Sequence, residues 1–134
     1  MCTATKKALV VDDDPEVRSL VSLFLEGHGW ETREGEDGDE AVALAVQDCP
    51  DVIILDLMMP QKDGFEAFKE LREDLRTSHI PVVMLTALND YDLGEVHDAE
   101  SIGRRLSVTP PEAFIPKPFD IDALLAAAAE ATGE

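Results

Sequence analysis

Five polar side chains carry the chemistry this sequence could do: Asp12 and Asp13, Asp56, Thr86 and Lys117. Each follows or closes a short apolar run: "ALVV" before the first pair, "VIIL" before Asp56, "PVVML" before Thr86, "AFIP" before Lys117. Three carboxylates, a hydroxyl and an ammonium make a set of hard oxygens and one cation. Gathered in one place, the carboxylates would repel. At an effective dielectric of about 20, two charges some 4 Å apart cost roughly 4 kcal/mol. A divalent cation and Lys117 would offset that repulsion. Oxygen donors without His or Cys select Mg²⁺ over Zn²⁺. A carboxylate beside Mg²⁺ can also attack phosphorus and form an aspartyl phosphate. The third aspartate of the run, Asp14, needs no such chemistry, because it precedes Pro15 where a helix N-cap belongs.

The elements that would bring these groups together are legible as alternating strands and helices. Residues 7–13 read as a strand. "DPEVRSLVSLFLEGHGW" reads as a helix with Val17, Leu20, Val21 and Phe24 on one face, ended by Gly27 and Gly29. "WETRE" is a short second strand, and "EDGDEAVALAVQDCP" a turn and a helix stopped by Pro50. "DVIILDLMMP" is continuously apolar from Val52 to Leu55, as a central parallel strand covered on both faces must be. A helix from about Gly64 to Asp74 turns Phe65, Phe68 and Leu71 inward. "IPVVMLTAL" gives a fourth strand. Tyr91 to Leu106 is expected to be a helix, weakened by Gly94 and Gly103. "EAFIPKPF" is a fifth strand, in which Pro116 is tolerated only at a sheet edge. Asp120 caps a last helix, Ile121 to Ala131, with Ile121, Leu124 and Leu125 inward.

This alternation predicts an α/β fold: a doubly wound, five-stranded parallel sheet with helices on both faces and strand order 2-1-3-4-5. All five polar groups then fall at carboxyl ends of strands, the edge where open parallel sheets bind ligands.

Bulk properties fit one domain. The chain has 134 residues and a formal charge of −18, from 29 acidic and 11 basic residues. Such a charge opposes docking on a phosphate backbone or an anionic membrane, so neither nucleic acid nor membrane is expected as a partner. No apolar run reaches membrane-spanning length and no signal peptide is evident, so a cytoplasmic location is expected. Cys2 and Cys49 read as ordinary thiols, and His28, His79 and His97 as surface or loop residues.

"LVVDDDPEVR", "VIILDLMMPQKDGFE", "PVVMLTA" and "FIPKPF" occur in an order that resembles the receiver domain of two-component response regulators, over about residues 7–131. The resemblance implies a signalling phosphoprotein, not an enzyme in the ordinary sense, catalysing at most its own phosphorylation and dephosphorylation. Asp56 would accept a phosphoryl group from a histidine kinase or a histidine phosphotransfer protein. Asp13 would bind Mg²⁺ directly, Asp12 largely through water, and Met58 through its backbone carbonyl. Thr86 and Lys117 would hold phosphoryl oxygens. Phe114 takes the place of the family's switch aromatic, turning inward as Thr86 moves. Lys117–Pro118 is a bond often cis in the family. Met58 and Leu88 stand at the positions by which the family tunes dephosphorylation, and both are apolar, so a long-lived phosphoryl group is expected.

Residues 1–134 are expected to form a single receiver domain with no output domain, acting in a phosphorelay or through protein contacts. The oligomeric state stays open, a homodimer included. One departure is evident: thirty residues separate Thr86 from Lys117, and "VTPPEAF" replaces the usual approach to strand five, so the output surface around 89–111 does not carry over. Two other readings compete. A phosphorylation-independent receiver-like binding module would account for the altered segment. A Mg²⁺-dependent phosphohydrolase would need a second aspartate at position 58, which is Met58.

Overall fold

The computed structural model describes residues 6–56, 64–87, 111, 113–117 and 121–132, with the backbone alone described at 64, 65, 86, 87, 114, 116 and 117. Among the described residues the elements run, in chain order, β1 (Lys7–Val11), α1 (Pro15–Gly27), β2 (Glu31–Gly35), α2 (Gly38–Asp48), β3 (Val52–Asp56), α3 (Gly64–Glu73), β4 (Val82–Ala87), β5 (Ala113–Lys117) and α4 (Ile121–Ala131). The strands form one sheet in the order β2-β1-β3-β4-β5, and every neighbouring pair is parallel. The expected doubly wound architecture is therefore what forms. The helix expected over Tyr91–Leu106, together with Met58, Leu88, Cys2, His97, Pro118 and Asp120, lies outside the described residues.

Side chains of a strand point alternately to its two faces, and the core divides accordingly. Leu9, Val11, Ile53, Leu55, Val82 and Met84 join Ala41 and Ala45 of α2 and Ala67, Phe68 and Leu71 of α3. Ala8, Val10, Val52, Ile54, Val83 and Leu85 join Val21 and Leu25 of α1 and Leu124 and Ala128 of α4. Both faces of the three central strands are thus covered, which is why Val52 to Leu55 needs no polar alternation. Burying a side chain of this size contributes roughly 1.5–3 kcal/mol. Phe68 and Leu71 of the expected α3 face are fully buried. On α4, Leu124 is buried while Ile121 and Leu125 are half-buried against the same cluster.

β5 occupies the sheet edge, so Pro116 can lack an N–H without breaking a second ladder. At the entry to α1, the Asp14 carboxylate accepts a hydrogen bond from Glu16 N at 2.9 Å, and Pro15 opens the helix. At α2, Asp37 caps by accepting from Glu40 N at 2.9 Å, while the Glu40 carboxylate accepts from Glu36 N at 2.8 Å. Cys49 ends α2 with a left-handed φ of 47° and is an exposed thiol. His28 and His79 are exposed, as expected.

The buried face of α1 differs from the expected one. Val21, Ser22 and Leu25 are buried, Val17 and Phe24 are half-buried, and Leu20 is 58% exposed. With about 100° per residue, the buried arc is centred roughly a quarter turn away from the apolar face read in the sequence. Arg18 lies on that arc with only 14% of its side chain exposed. Two polar residues, Arg18 and Ser22, therefore occupy inward positions that an apolar count assigns to the outside.

Candidate metal and phosphoacceptor site

The sheet register assembles the acidic group. Val11 of β1 stands opposite Leu55 of β3, so the next residue on each strand, Asp12 and Asp56, emerges side by side at the carboxyl edge. Asp56 is the last residue of β3 and pairs with Leu85, which puts Thr86 one step further along β4. Ala87 pairs with Lys117, so the backbones of Thr86 and Lys117 reach the same edge. Phe114 stands opposite Met84 on β5, further from that edge.

One carboxylate oxygen from each of Asp12, Asp13 and Asp56 lies within 4.8 Å of the other two. Asp12 and Asp56 are 1% and 4% exposed, whereas Asp13 is open to solvent. Two nearly buried carboxylates next to a third are costly unless a positive group joins them. Among the described residues the donor set is carboxylate oxygen. That fits a hard divalent cation, which keeps several waters and takes a few protein oxygens, and it does not fit the N/S preference of zinc. The group could hold a metal ion.

The turn after β1 is fixed at several points. Asp12 N donates to Gly35 O at 3.2 Å. Asp14 N donates to Asp12 Oδ1 at 2.9 Å. Arg18 Nη1 donates to the Asp12 carbonyl at 2.8 Å, and Arg18 Nε donates to Glu34 Oε1 at 3.0 Å. Sequence reasoning identifies Asp14 as a cap, which it is, but does not reveal that its N–H also orients Asp12. It misses Arg18 and Glu34 altogether. The one signal for them is a basic residue one turn into a helix that begins at three acids.

An open parallel sheet with an acidic site where β1 and β3 end belongs to the doubly wound α/β class, which binds ligands at the carboxyl ends of its strands. Comparison narrows it. The response regulator receiver domain family matches residues 8–129, and the chain belongs to that family. It is 42% identical over 120 residues to the DNA-binding dual master transcriptional regulator RpaA of Synechocystis, covering 90% of this chain and 46% of RpaA. It is 35% identical over 119 residues to Protein PilH of Pseudomonas aeruginosa, covering 89% of this chain and 91% of PilH. The chain thus spans less than half of RpaA and nearly all of PilH. Among solved structures, the chemotaxis protein CheY4 of Vibrio cholerae superimposes with a TM-score of 0.78 at 32% identity, covering 96% of this chain and 99% of that one. The receiver domain of Francisella response regulator 1452 gives a TM-score of 0.78 at 29% identity, over 95% and 96% of the two chains. Among the described residues no helix is long and apolar enough to cross a membrane.

Proposed function

We propose that the chain accepts a phosphoryl group on Asp56, in a Mg²⁺-dependent reaction, from a histidine kinase or histidine phosphotransfer protein, and signals through protein–protein contacts. What supports this most directly is the convergence of Asp12, Asp13 and Asp56 within 4.8 Å at the carboxyl edge of a receiver fold. A phosphorylation-independent binding module would gain nothing from that repulsive arrangement.

Asp12, Asp13, Asp56 and the Met58 carbonyl would hold Mg²⁺, which when bound supplies positive charge against the carboxylates and the incoming phosphoryl oxygens. An Asp56 carboxylate oxygen attacks phosphorus as the bond from phosphorus to the donor's imidazole nitrogen breaks, and the imidazole leaves with the electron pair. Thr86 would donate to one phosphoryl oxygen and Lys117 would pair with another. The product adds roughly −1.5 to −2 charges at pH 7. Thr86 drawn towards that charge, with Phe114 turning inward behind it, would convert the charge into a changed surface on the β4–β5 side of the sheet. This chemistry suits a cytoplasmic protein supplied by a kinase.

Incubation with Mg²⁺ and acetyl phosphate tests the reading. The expected result is a labile adduct of one phosphoryl group, absent in Asp56→Asn and absent when Mg²⁺ is chelated. No adduct from acetyl phosphate or from a cognate kinase would overturn it.

A further inference from the structure

Two of the three clustered carboxylates, Asp12 and Asp13, follow β1, whose last ladder residue is Val11, and the third, Asp56, ends the neighbouring β3. Beyond it, the main chain of Asp12 is held towards β2 by a 3.2 Å bond to Gly35 O, long for an N–H donor. Mutual repulsion of the carboxylates favours swinging this segment outward. The shorter restraint comes from α1. Arg18 reaches back to the Asp12 carbonyl at 2.8 Å, and its other edge is fixed by Glu34 of β2 at 3.0 Å. Its side chain is 14% exposed and that of Glu34 is 40% exposed, so the clamp is half-sheltered from solvent.

We propose that Arg18, braced by Glu34, is a positioning residue for the divalent cation: it fixes the Asp12 main chain so that the carboxylates are convergent before the ion arrives. The inference rests on the Mg²⁺ reading given above. The bond to Asp12 goes to a neutral carbonyl, and the guanidinium charge is matched by Glu34. The pair therefore contributes geometry more than field, and it does not compete with the ion for the carboxylates. Arginine suits the task because its planar fork presents two donors in fixed directions, one to the end of β1 and one to the end of β2. A lysine has a single point charge and can make one of these bonds well. The inward position of Arg18, against the apolar pattern of α1, follows from the same role.

Isothermal titration of Mg²⁺ into wild type, Arg18→Ala, Arg18→Lys and Asp13→Asn tests the proposal, with the Mg²⁺ dependence of acetyl-phosphate labelling measured in parallel. Groups that orient metal ligands from behind change affinity by about 10- to 100-fold when removed. Arg18→Ala is expected to raise the Mg²⁺ Kd by about tenfold, at the low end of that range. Arg18→Lys should recover part of the loss. Labelling by Arg18→Ala should return to the wild-type rate at saturating Mg²⁺, because the reacting groups are intact. Should Arg18→Ala not fold, Glu34→Ala removes the brace and is expected to weaken Mg²⁺ in the same direction.

A melting temperature that falls in Arg18→Ala while Kd stays at the wild-type value would overturn the proposal and leave Arg18 as a stabilising contact only. A labelling rate that stays low at saturating Mg²⁺ would also overturn it. Absence of Mg²⁺ binding in the wild type would remove the cation reading itself, and the inference with it. That outcome is distinct from binding that the wild type shows, Asp13→Asn loses and Arg18→Ala keeps.

Discussion

Two connections in this molecule use the same local device and come to different ends. In the turn after β1, Asp12 Oδ1 accepts from the N–H two residues on, Asp14 N, at 2.9 Å. In the connection after α3, Asp74 Oδ1 accepts from the N–H two residues on, Arg76 N, also at 2.9 Å. Both are side-chain turns of the kind aspartate favours. Their surroundings differ. Arg76 folds back on Asp74, with Nε at 3.1 Å and Nη2 at 2.8 Å from its two oxygens, so the carboxylate and its cation close on each other. Around it, Thr77 Oγ1 donates to Leu71 O at 2.7 Å and Arg72 Nη1 donates to Ile80 O at 2.8 Å, securing the chain before β4. Asp12 instead is carried by the β1–β3 register to within 4.8 Å of Asp13 and Asp56. Turn chemistry alone does not separate these two aspartates; the long-range neighbours do.

Removing one carboxylate from the acidic group puts this contrast under the greatest strain. Asp13→Asn is expected to weaken Mg²⁺ binding by about tenfold or more, on the order of 1.4 kcal/mol. The same substitution relieves repulsion in the ion-free protein. Its urea midpoint without Mg²⁺ should rise, by about 0.5–1 kcal/mol of stability given the exposure of Asp13 and screening by salt. A ligand whose loss stabilises the empty protein marks a site kept for function. If ion-free stability falls instead, the first turn is structural like the second, and the contrast fails.

The second connection should answer in the opposite sense. Thr77 is fully buried, and its hydroxyl satisfies the Leu71 carbonyl at the end of α3. Thr77→Val keeps the shape but leaves that carbonyl without the hydroxyl donor, at a cost of roughly 1–2 kcal/mol. The urea midpoint should drop accordingly, while the Mg²⁺ Kd and labelling of Asp56 stay at wild-type values. A changed Kd would mean that the α3–β4 connection is coupled to the acidic edge, and the two regions would no longer be separable.

Legibility in the sequence divides along the same line. Val52 to Leu55 announces a central strand because nothing but burial on both faces explains four consecutive apolar residues. Asp12, Asp13 and Asp56 are legible because each ends such a run, and strand ends in a parallel sheet share an edge. Pro116 places β5 at the margin because it lacks a ladder donor. The roles of Arg18, Glu34, Arg72 and Thr77 are not legible. Each acts on a backbone carbonyl or a side chain of another element, and main-chain partners leave no residue-type signature at a fixed spacing. The face of α1 is misplaced for the same reason: Arg18 turns inward to reach the Asp12 carbonyl, and a periodicity count treats it as outward. Leu20, assigned inward by that count, is 58% exposed.

The smallest expected effect concerns acid. Arg76, donating to Asp74 through its guanidinium and its main-chain N–H, lowers the Asp74 pKa from 3.8 to about 2. The unfolded chain then binds the proton more readily than the folded one between those values, so stability attributable to the pair rises with pH across that interval. It is fully present above about 3.8 and is lost as pH falls through about 2. Thermal melts of wild type and Asp74→Asn from pH 5 down to pH 2 isolate it, because the other carboxylates titrate in both proteins. Wild type should exceed the variant at pH 5, with the gap closing below pH 4. Added salt should shrink the gap, since the ion pair lies at the surface and is screened. A gap that persists to pH 2 would assign the effect to the turn geometry of Asp74, which asparagine reproduces only in part, and not to its charge.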